Sequence, residues 1–455
     1  MKSNDTSRPL SHFLAFASTH TPKRKPKIFF LSGGLWNILE KEKGRDVMGA
    51  LTGLKILDFS TLLPGPYATL VMADMGAEVL SVAAPNRRDI LTEWPPVIEG
   101  TETTAVSAWI RRNKKTMCLD LKTPLGVEAV RRLVRDEGYD IILEQFRPGV
   151  MQQLGLGYEQ LRELDPGLIY CSLTGYGQTG PMAMRAGHDI NYLSRSGNMS
   201  QAGRQQTGPV LTNVQIADVA AGSMNSIISI LAAVNYRHET GRGQYIDVAM
   251  MDGVVPFNGM DGAAFLGGGE MPGREEHLLN GGTVYDFYET ADGRYMSVGS
   301  LEPKFFADLC KGLGLEGEPG VDLKLDSPET KKRVCEAFAT RTMKEWCEVF
   351  AELDACVEPV LTLEEARQDE QMRIRGMMPE VPIPTVSDES CNTEGPPAHT
   401  EGTSSVQQLG CPLKLSECPP EYRHAGYPTG YHTQEILEKL GFTDEEIKEA
   451  AGISK

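Results

Sequence analysis

From residue 54 onward the chain alternates short apolar runs with longer amphipathic stretches, and this alternation restricts its fold more than any other feature. "LKILDF" (54–59) is strand-like, "LPGPYATLVMADMGA" (63–77) turns helical after its Pro/Gly start, and "EVLSVAA" (78–84) is strand-like again. A second unit follows as "TMCLDL" (116–121), "PLGVEAVRRLVRDE" (124–137) and "DIILEQF" (140–146), with a further strand in "GLIYCSLTGYG" (167–177). Repeated strand–helix–strand units predict a mainly parallel sheet with helices on both faces and ligands near the carboxyl ends of the strands.

With 455 residues the chain is long enough for two or three domains. The reading is an α/β fold: a Rossmann-like large domain over 48–250 and a smaller α+β domain over 281–368. The smaller domain is signalled by "GGTVYDFYETADGRYMSVGSLEPKFFADLCKGLGL" (281–315), two alternating strands around an Ala-Asp-Gly hairpin turn and then a helix from about Lys304. Gly-rich text at 251–280 reads as a linker, as does 369–410, which contains the Pro/Gly/Ser-rich "DESCNTEGPPAHTEGTSS". The end, 411–455, is expected to return helices to the large domain, with Thr443 and Glu446 as a capping pair.

Charge and cysteine usage narrow the function classes. A net charge of −17 argues against nucleic acid, whose phosphates need clustered Lys and Arg, but leaves room for a phosphate-bearing small molecule on a local basic patch. Nine cysteines without a Cys-x-x-Cys pair fit reduced thiols and a cytoplasmic location, with no metal site. The longest apolar segment, "VAAGSMNSIISILAAVNYR", is broken by Ser223, Asn225, Ser226 and Ser229, so a buried helix is expected and no membrane span. Residues 1–47 carry nine basic and four acidic residues, which leaves the remainder at −22. This basic extension is either a targeting peptide, mitochondrial or peroxisomal, or text outside a fold that starts at Met48; the terminal "GISK" is no peroxisomal tripeptide.

The first turn, "STLLPGPYAT", lacks G-x-G-x-x-G, and Pro64 and Pro66 remove backbone donors, which counts against a nicotinamide dinucleotide. Three residues at element ends compete as chemical groups. His188 in "GHDINY" (187–192) is a candidate general acid/base by residue type, though a loop histidine satisfied by a carbonyl would look the same. Asp218, just before the apolar helix, has the position of an N-cap. Glu302 precedes a proline in a helix's first turn, a common structural place for an acid. "IRRNKK" (110–115) reads as a solvated charged edge or a phosphate clamp, and Met250, Met251 and Met260 as core or an adaptable acyl wall.

In chain order, "LTGLKILDFSTLLPGPYATLVMADMGAEVL", "LDLKTPLGVEAVRRLV", "RPGVMQQLGLGYEQL", "LIYCSLTGYGQTGP", "GHDINYL", "RGQYIDVAMMDG", "YETADGRYMSVGSLEPKFF" and "HTQEILEKLGF" resemble the family III CoA-transferases, among which the 2-methylacyl-CoA racemases form a branch. The resemblance covers about residues 50–451. It implies that transferase members use an aspartate at Asp218 as a nucleophile carrying the acyl group and then CoA. It implies that racemase members use the same aspartate as one base and the histidine at His188 as the other, with Glu302 supporting that histidine.

A complete "GHDINY" and an "EPKF" glutamate favour racemisation at C2 of 2-methyl-branched acyl-CoA thioesters, with CoA transfer between carboxylic acids as the alternative. No separate cofactor is expected, since CoA is part of the substrate. The resemblance further implies CoA contacts from Leu119, Asp120, Leu121, Lys122 and Arg147, and thioester contacts from Gly187, Asp189, Asn191 and Tyr192. The chain departs from the racemases at Ala84, where a basic residue is usual, and at Gln153. Arg87, Arg88 or the Arg111–Lys115 cluster are the expected substitutes. The amides of the helix begun by Asp218 are the expected enolate donors, and Asp189 is expected to hold the turn, so that Asp189→Asn leaves exchange largely intact. The family architecture implies an interlocked homodimer, His188 and Asp218 from one chain meeting Glu302 of the other.

Overall fold

The computed structural model describes residues 48–85, 87–316, 323–384 and 405–453. The basic extension 1–47 and most of the Pro/Gly/Ser-rich stretch lie outside the described residues. Strands β1 (Lys55–Asp58), β2 (Glu78–Ala83), β3 (Lys115–Cys118), β4 (Ile141–Glu144), β5 (Ile169–Thr174) and β6 (Tyr245–Ala249) form one six-stranded sheet in the order β3-β2-β1-β4-β5-β6. Every pairing is parallel. The chain winds outward from β1 to one edge, then returns and winds to the other, so the reversal falls between β1 and β4.

Period-two alternation explains why these strands read as unbroken apolar runs. Ile56, Val79, Ile141, Leu143 and Cys171 face one layer, with helix α1 (Pro64–Asp74) and the helix Ala217–Thr240. Leu57, Leu80, Val82, Ile142 and Tyr170 face the other, with Ala129, Val130, Leu133 and Val134 of the helix Pro124–Arg135. Both faces are dry, as parallel sheets require. Ile436, Leu437, Phe442, Ile447 and Ala450 of the last helices bury into this second layer. Thr443 and Glu446 cap the final one reciprocally.

A second sheet, antiparallel, joins β7 (Asp286–Glu289), β8 (Tyr295–Val298) and β9 (Val357–Pro359). The helices Pro303–Leu313, Pro328–Phe338 and Met343–Phe350 cover it, around Trp346, Phe338, Phe350 and Tyr288. The hairpin turn is as expected, with Gly293 at φ 73° where a side chain would be strained.

Several segments differ from the sequence reading. "IRRNKK" is no solvated edge: Arg111, Arg112, Asn113 and Lys114 are all buried. Arg112 pairs bidentately with Asp74, and Lys114 lies 3.6 Å from Asp58 while donating to the Pro66 carbonyl and Thr69. Buried carboxylates on β1 and α1 drew these cations inward. The 251–280 stretch is partly helical, at Met250–Val254 and Gly259–Leu266, because Ala263, Ala264 and Leu266 outweigh their glycine neighbours. The ends of the 369–410 stretch also pair, Glu380–Pro382 with Ser405–Gln407.

The helix Ala217–Thr240 has a mean hydropathy of 1.5 and, by length and composition alone, is long enough to cross a membrane. It is buried on one side only, 44% of that window lying inside the fold, and not throughout as its composition predicted. Ile230 and Ala233 face the core while Ile228 is exposed.

Candidate active site

Where the sheet reverses, the loops after β1 and β4 part and leave a crevice. A cavity of about 610 Å³ occupies it, lined by Leu62–Pro64 after β1, Gln145–Pro148 after β4, Leu173–Gly175 at the end of β5 and Met250 after β6. His188, Tyr192 and Asp218 enter this same cavity, though 30 residues separate the histidine from the aspartate in sequence. Gly187 and Arg147 also line it. Of the three methionines, only Met250 does; Met260 is exposed and Met251 packs on the core.

His188 sits at the N-cap of the helix Asp189–Arg195 in extended conformation. Its backbone N–H donates to Asn191 Oδ1 at 3.0 Å, and its carbonyl accepts from the Asn191 amide at 2.8 Å. Asn191 therefore shapes the turn. The Tyr192 hydroxyl donates to the Gly187 carbonyl at 2.6 Å. A Cβ on Gly187 would come within 2.8 Å of the Tyr192 ring, so only glycine lets the backbone lie so close.

Asp218 does not cap its helix as expected. Ile216 is the N-cap, and Asp218 lies in a wide, π-type first turn spanning Ala217–Ser223. The capping carboxylate is Asp189, whose Oδ1 accepts the amides of Ala217 (2.6 Å) and Asp218 (3.1 Å). The Val219 amide is bonded to the Gln215 carbonyl. These three amides are thus occupied and cannot serve as the enolate donors expected from sequence. Partial burial pushes the Asp218 carboxyl from 3.8 up to about 6; the neighbouring Asp189 charge adds to this and His188 opposes it.

Beside this cavity lies a second, of about 230 Å³, lined by Ser60, Thr61, Arg87, Arg88, Arg111, Lys114, Leu119, Leu121 and Thr429, with Phe146 common to both. The N-terminus of α1 would ordinarily supply phosphate-binding amides here. Pro64 and Pro66 have none, Gly65 donates to Gln145 Oε1 at 3.1 Å, and Tyr67 donates to the Leu63 carbonyl. Cation side chains must replace them. Arg112 and Lys114 are committed to buried carboxylates, and the second cavity is faced by Arg87, by Arg88, which pairs with Glu93, and by Arg111, which donates to Thr429, with Asp89 and Glu93 also in its lining. Leu119 and Leu121 line it, whereas Asp120 and Lys122 line neither cavity: Asp120 Oδ1 accepts the Lys122 amide and Lys122 is exposed.

Glu302 is exposed at the N-cap of the helix Pro303–Leu313 and does not line the cavity that holds His188 and Asp218. Sequence reasoning missed Gln145, Arg185, Asn213 and Gln215, which also line that cavity. Gln145 carried a signal, since it immediately follows a strand at the carboxyl edge.

A reversed parallel sheet holds His188 and Asp218 in one cavity at its switch point, next to a second cavity lined in part by arginines, and residues 51–433 match the family described as CoA-transferase family III. The chain belongs to this family. Alpha-methylacyl-CoA racemase from Homo sapiens is 37% identical over 403 residues, covering 88% of this chain and 95% of that protein. Succinyl-CoA:glutarate CoA-transferase from Mus musculus is 31% identical over 421 residues, covering 90% of this chain and 91% of that protein. Among solved structures, a CAIB/BAIF family protein from Brucella suis aligns with a TM-score of 0.71 at 26% identity, covering 86% of this chain and all of that one.

Proposed function

We propose that the protein racemises 2-methyl-branched acyl-CoA thioesters at C2 by two-base proton transfer. The observation that carries this reading is that His188 and Asp218 line one cavity, with the Asp218 carboxyl raised to about 6. A thioester carbonyl acidifies its α-hydrogen, and inversion needs one group to remove that proton and another to return one to the opposite face. A carboxyl near 6 and an imidazole can each hold or release a proton close to neutrality. With His188 neutral and Asp218 protonated the pair accepts one enantiomer; with the protons exchanged it accepts the other. Positioned acid/base groups of this kind contribute about 10²- to 10⁴-fold each. The similarity to alpha-methylacyl-CoA racemase supports the same reading.

The reaction calls for no group beyond the CoA thioester itself. Arg87, Arg88 and Arg111 are assigned to the CoA phosphates, in place of the basic residue missing at Ala84. The working unit in this proposal is a homodimer in which Glu302 of one subunit supports His188 of the other. Exposed Ile228, Met260, Phe265 and Leu266 offer the apolar surface that such a partner would cover.

A second reading, CoA transfer through an Asp218 anhydride and thioester, is favoured by the similarity to succinyl-CoA:glutarate CoA-transferase. Proton NMR of a 2-methylacyl-CoA in heavy water separates the two. A racemase washes deuterium into C2 without any second acid, and loses inversion at C2 with either His188→Ala or Asp218→Ala. Absence of C2 exchange across several acyl chains, with hydroxylamine trapping of an Asp218 adduct, would establish the transferase instead.

A further inference from the structure

His188 and Asp218 belong to different helices, and nothing in their own bonding sets the distance between them. The residue that joins the two helices is Asp189. It follows His188 directly and opens the helix Asp189–Arg195, while its Oδ1 accepts the two amides directly beneath Asp218, from Ala217 at 2.6 Å and Asp218 at 3.1 Å. A helix N-terminus presents unpaired amides and positive dipole, and an anion there is strongly held. Here that anion comes from another element, so the cap doubles as a strut.

The far side of the same turn is tied as well. The Ser223 hydroxyl donates to the Pro64 carbonyl at 2.6 Å and lies 3.1 Å from the Asp218 carbonyl, which anchors the wide turn to the start of α1. Asp218 is therefore held from both sides through its backbone while its carboxyl lines the cavity.

We propose that Asp189 is a positioning residue: by clamping the backbone of Asp218 to the residue next to His188, it fixes the separation of the acid/base pair. The inference rests on the acid/base reading of His188 and Asp218 and holds for either reaction. Its charge acts too, because Asp189 disfavours ionisation of Asp218 while His188, across the cavity, favours it. Tyr192 is the other titratable neighbour, and burial together with these two carboxylates keeps its hydroxyl protonated. Arg147 and Arg185 are the cations lining the same cavity.

The test compares Asp189→Ala, which removes the clamp, with Asp189→Asn, which keeps an oxygen acceptor and removes the charge. Two readouts are followed: turnover against pH, and the carboxyl carbon resonance of Asp218 in protein labelled with ¹³C-aspartate. Displacing a reacting group by about 1 Å costs on the order of 10²-fold, so Asp189→Ala should lose about that factor in kcat with KM little changed. Asp189→Asn should recover most of the loss, and its Asp218 carboxyl should titrate at lower pH than in the wild-type protein.

An Asp189→Ala variant that keeps kcat within about twofold overturns the strut, as does an Asp189→Asn variant no better than alanine. An Asp218 titration unmoved by Asp189→Asn overturns the electrostatic part. That titration needs no turnover, so it still decides the electrostatic part if both proposed activities fail in the wild-type protein.

Discussion

Replacing Asp218 by asparagine should abolish inversion at C2 and yet make the protein more stable at neutral pH. The side chain is held near 6 by partial burial and by Asp189, against 3.8 for an ordinary aspartate. Folding therefore binds a proton between those pH values. The stability that the protonated form contributes is complete below about pH 4 and lost as pH rises through about 6. Two pH units at ~1.36 kcal/mol each bound the effect at roughly 3 kcal/mol, and solvent screening of the exposed part of the carboxyl reduces it to about 1–2 kcal/mol.

Asparagine has a similar shape and no charge, so it removes this penalty. With an unfolding entropy of ~2.1 cal/mol/K per residue, a chain of this size should gain about 1–2 °C in Tm. The assay is thermal unfolding of both proteins without ligand, from pH 4 to pH 8, reading only the difference between them so that other groups cancel. The gain should be near zero at pH 4, rise through about pH 6 and level off above pH 7. A difference that does not change with pH, or a variant that loses ground as pH rises, would refute the reasoning.

Arg112→Ala should destabilise the fold by about 3–5 kcal/mol, because it leaves Asp74 buried without its cation, and chemical denaturation would measure the loss. It also releases Gln408 and the Leu409 carbonyl, both held by the same guanidinium. For the proposed dimer, co-expressing His188→Ala and Glu302→Ala chains should produce hybrids in which one of the two sites is wild type in both residues, restoring activity that neither parent has. Hybrids as inactive as their parents would place His188 and Glu302 in the same subunit's site or in none.

Some parts of this molecule were legible before folding and others were not. Strand runs such as "LKILDF" and "EVLSVAA" declared a parallel sheet because both of its faces are dry, and helix caps such as Thr443/Glu446 are local bonds between near neighbours. The resemblance to family III CoA-transferases, and not the residues taken singly, brought out His188 and Asp218 as a pair. The fate of "IRRNKK" was hidden, since its five consecutive polar letters look alike whether water or Asp74 and Asp58 receive them.

Sequence alone determined the layered α/β architecture, the loss of an amide cradle at Pro64 and Pro66, and the residue types able to move a proton near neutrality. These follow from backbone chemistry and short-range periodicity, which need no partner elsewhere in the chain. Only tertiary structure decided that Asp189 caps the turn of Asp218, that Arg87, Arg88 and Arg111 gather around one cavity, and that Glu302 lies outside the other. Each depends on where distant segments meet: a carboxylate bonds the amides that the fold brings within about 3 Å, and sequence spacing does not encode that distance.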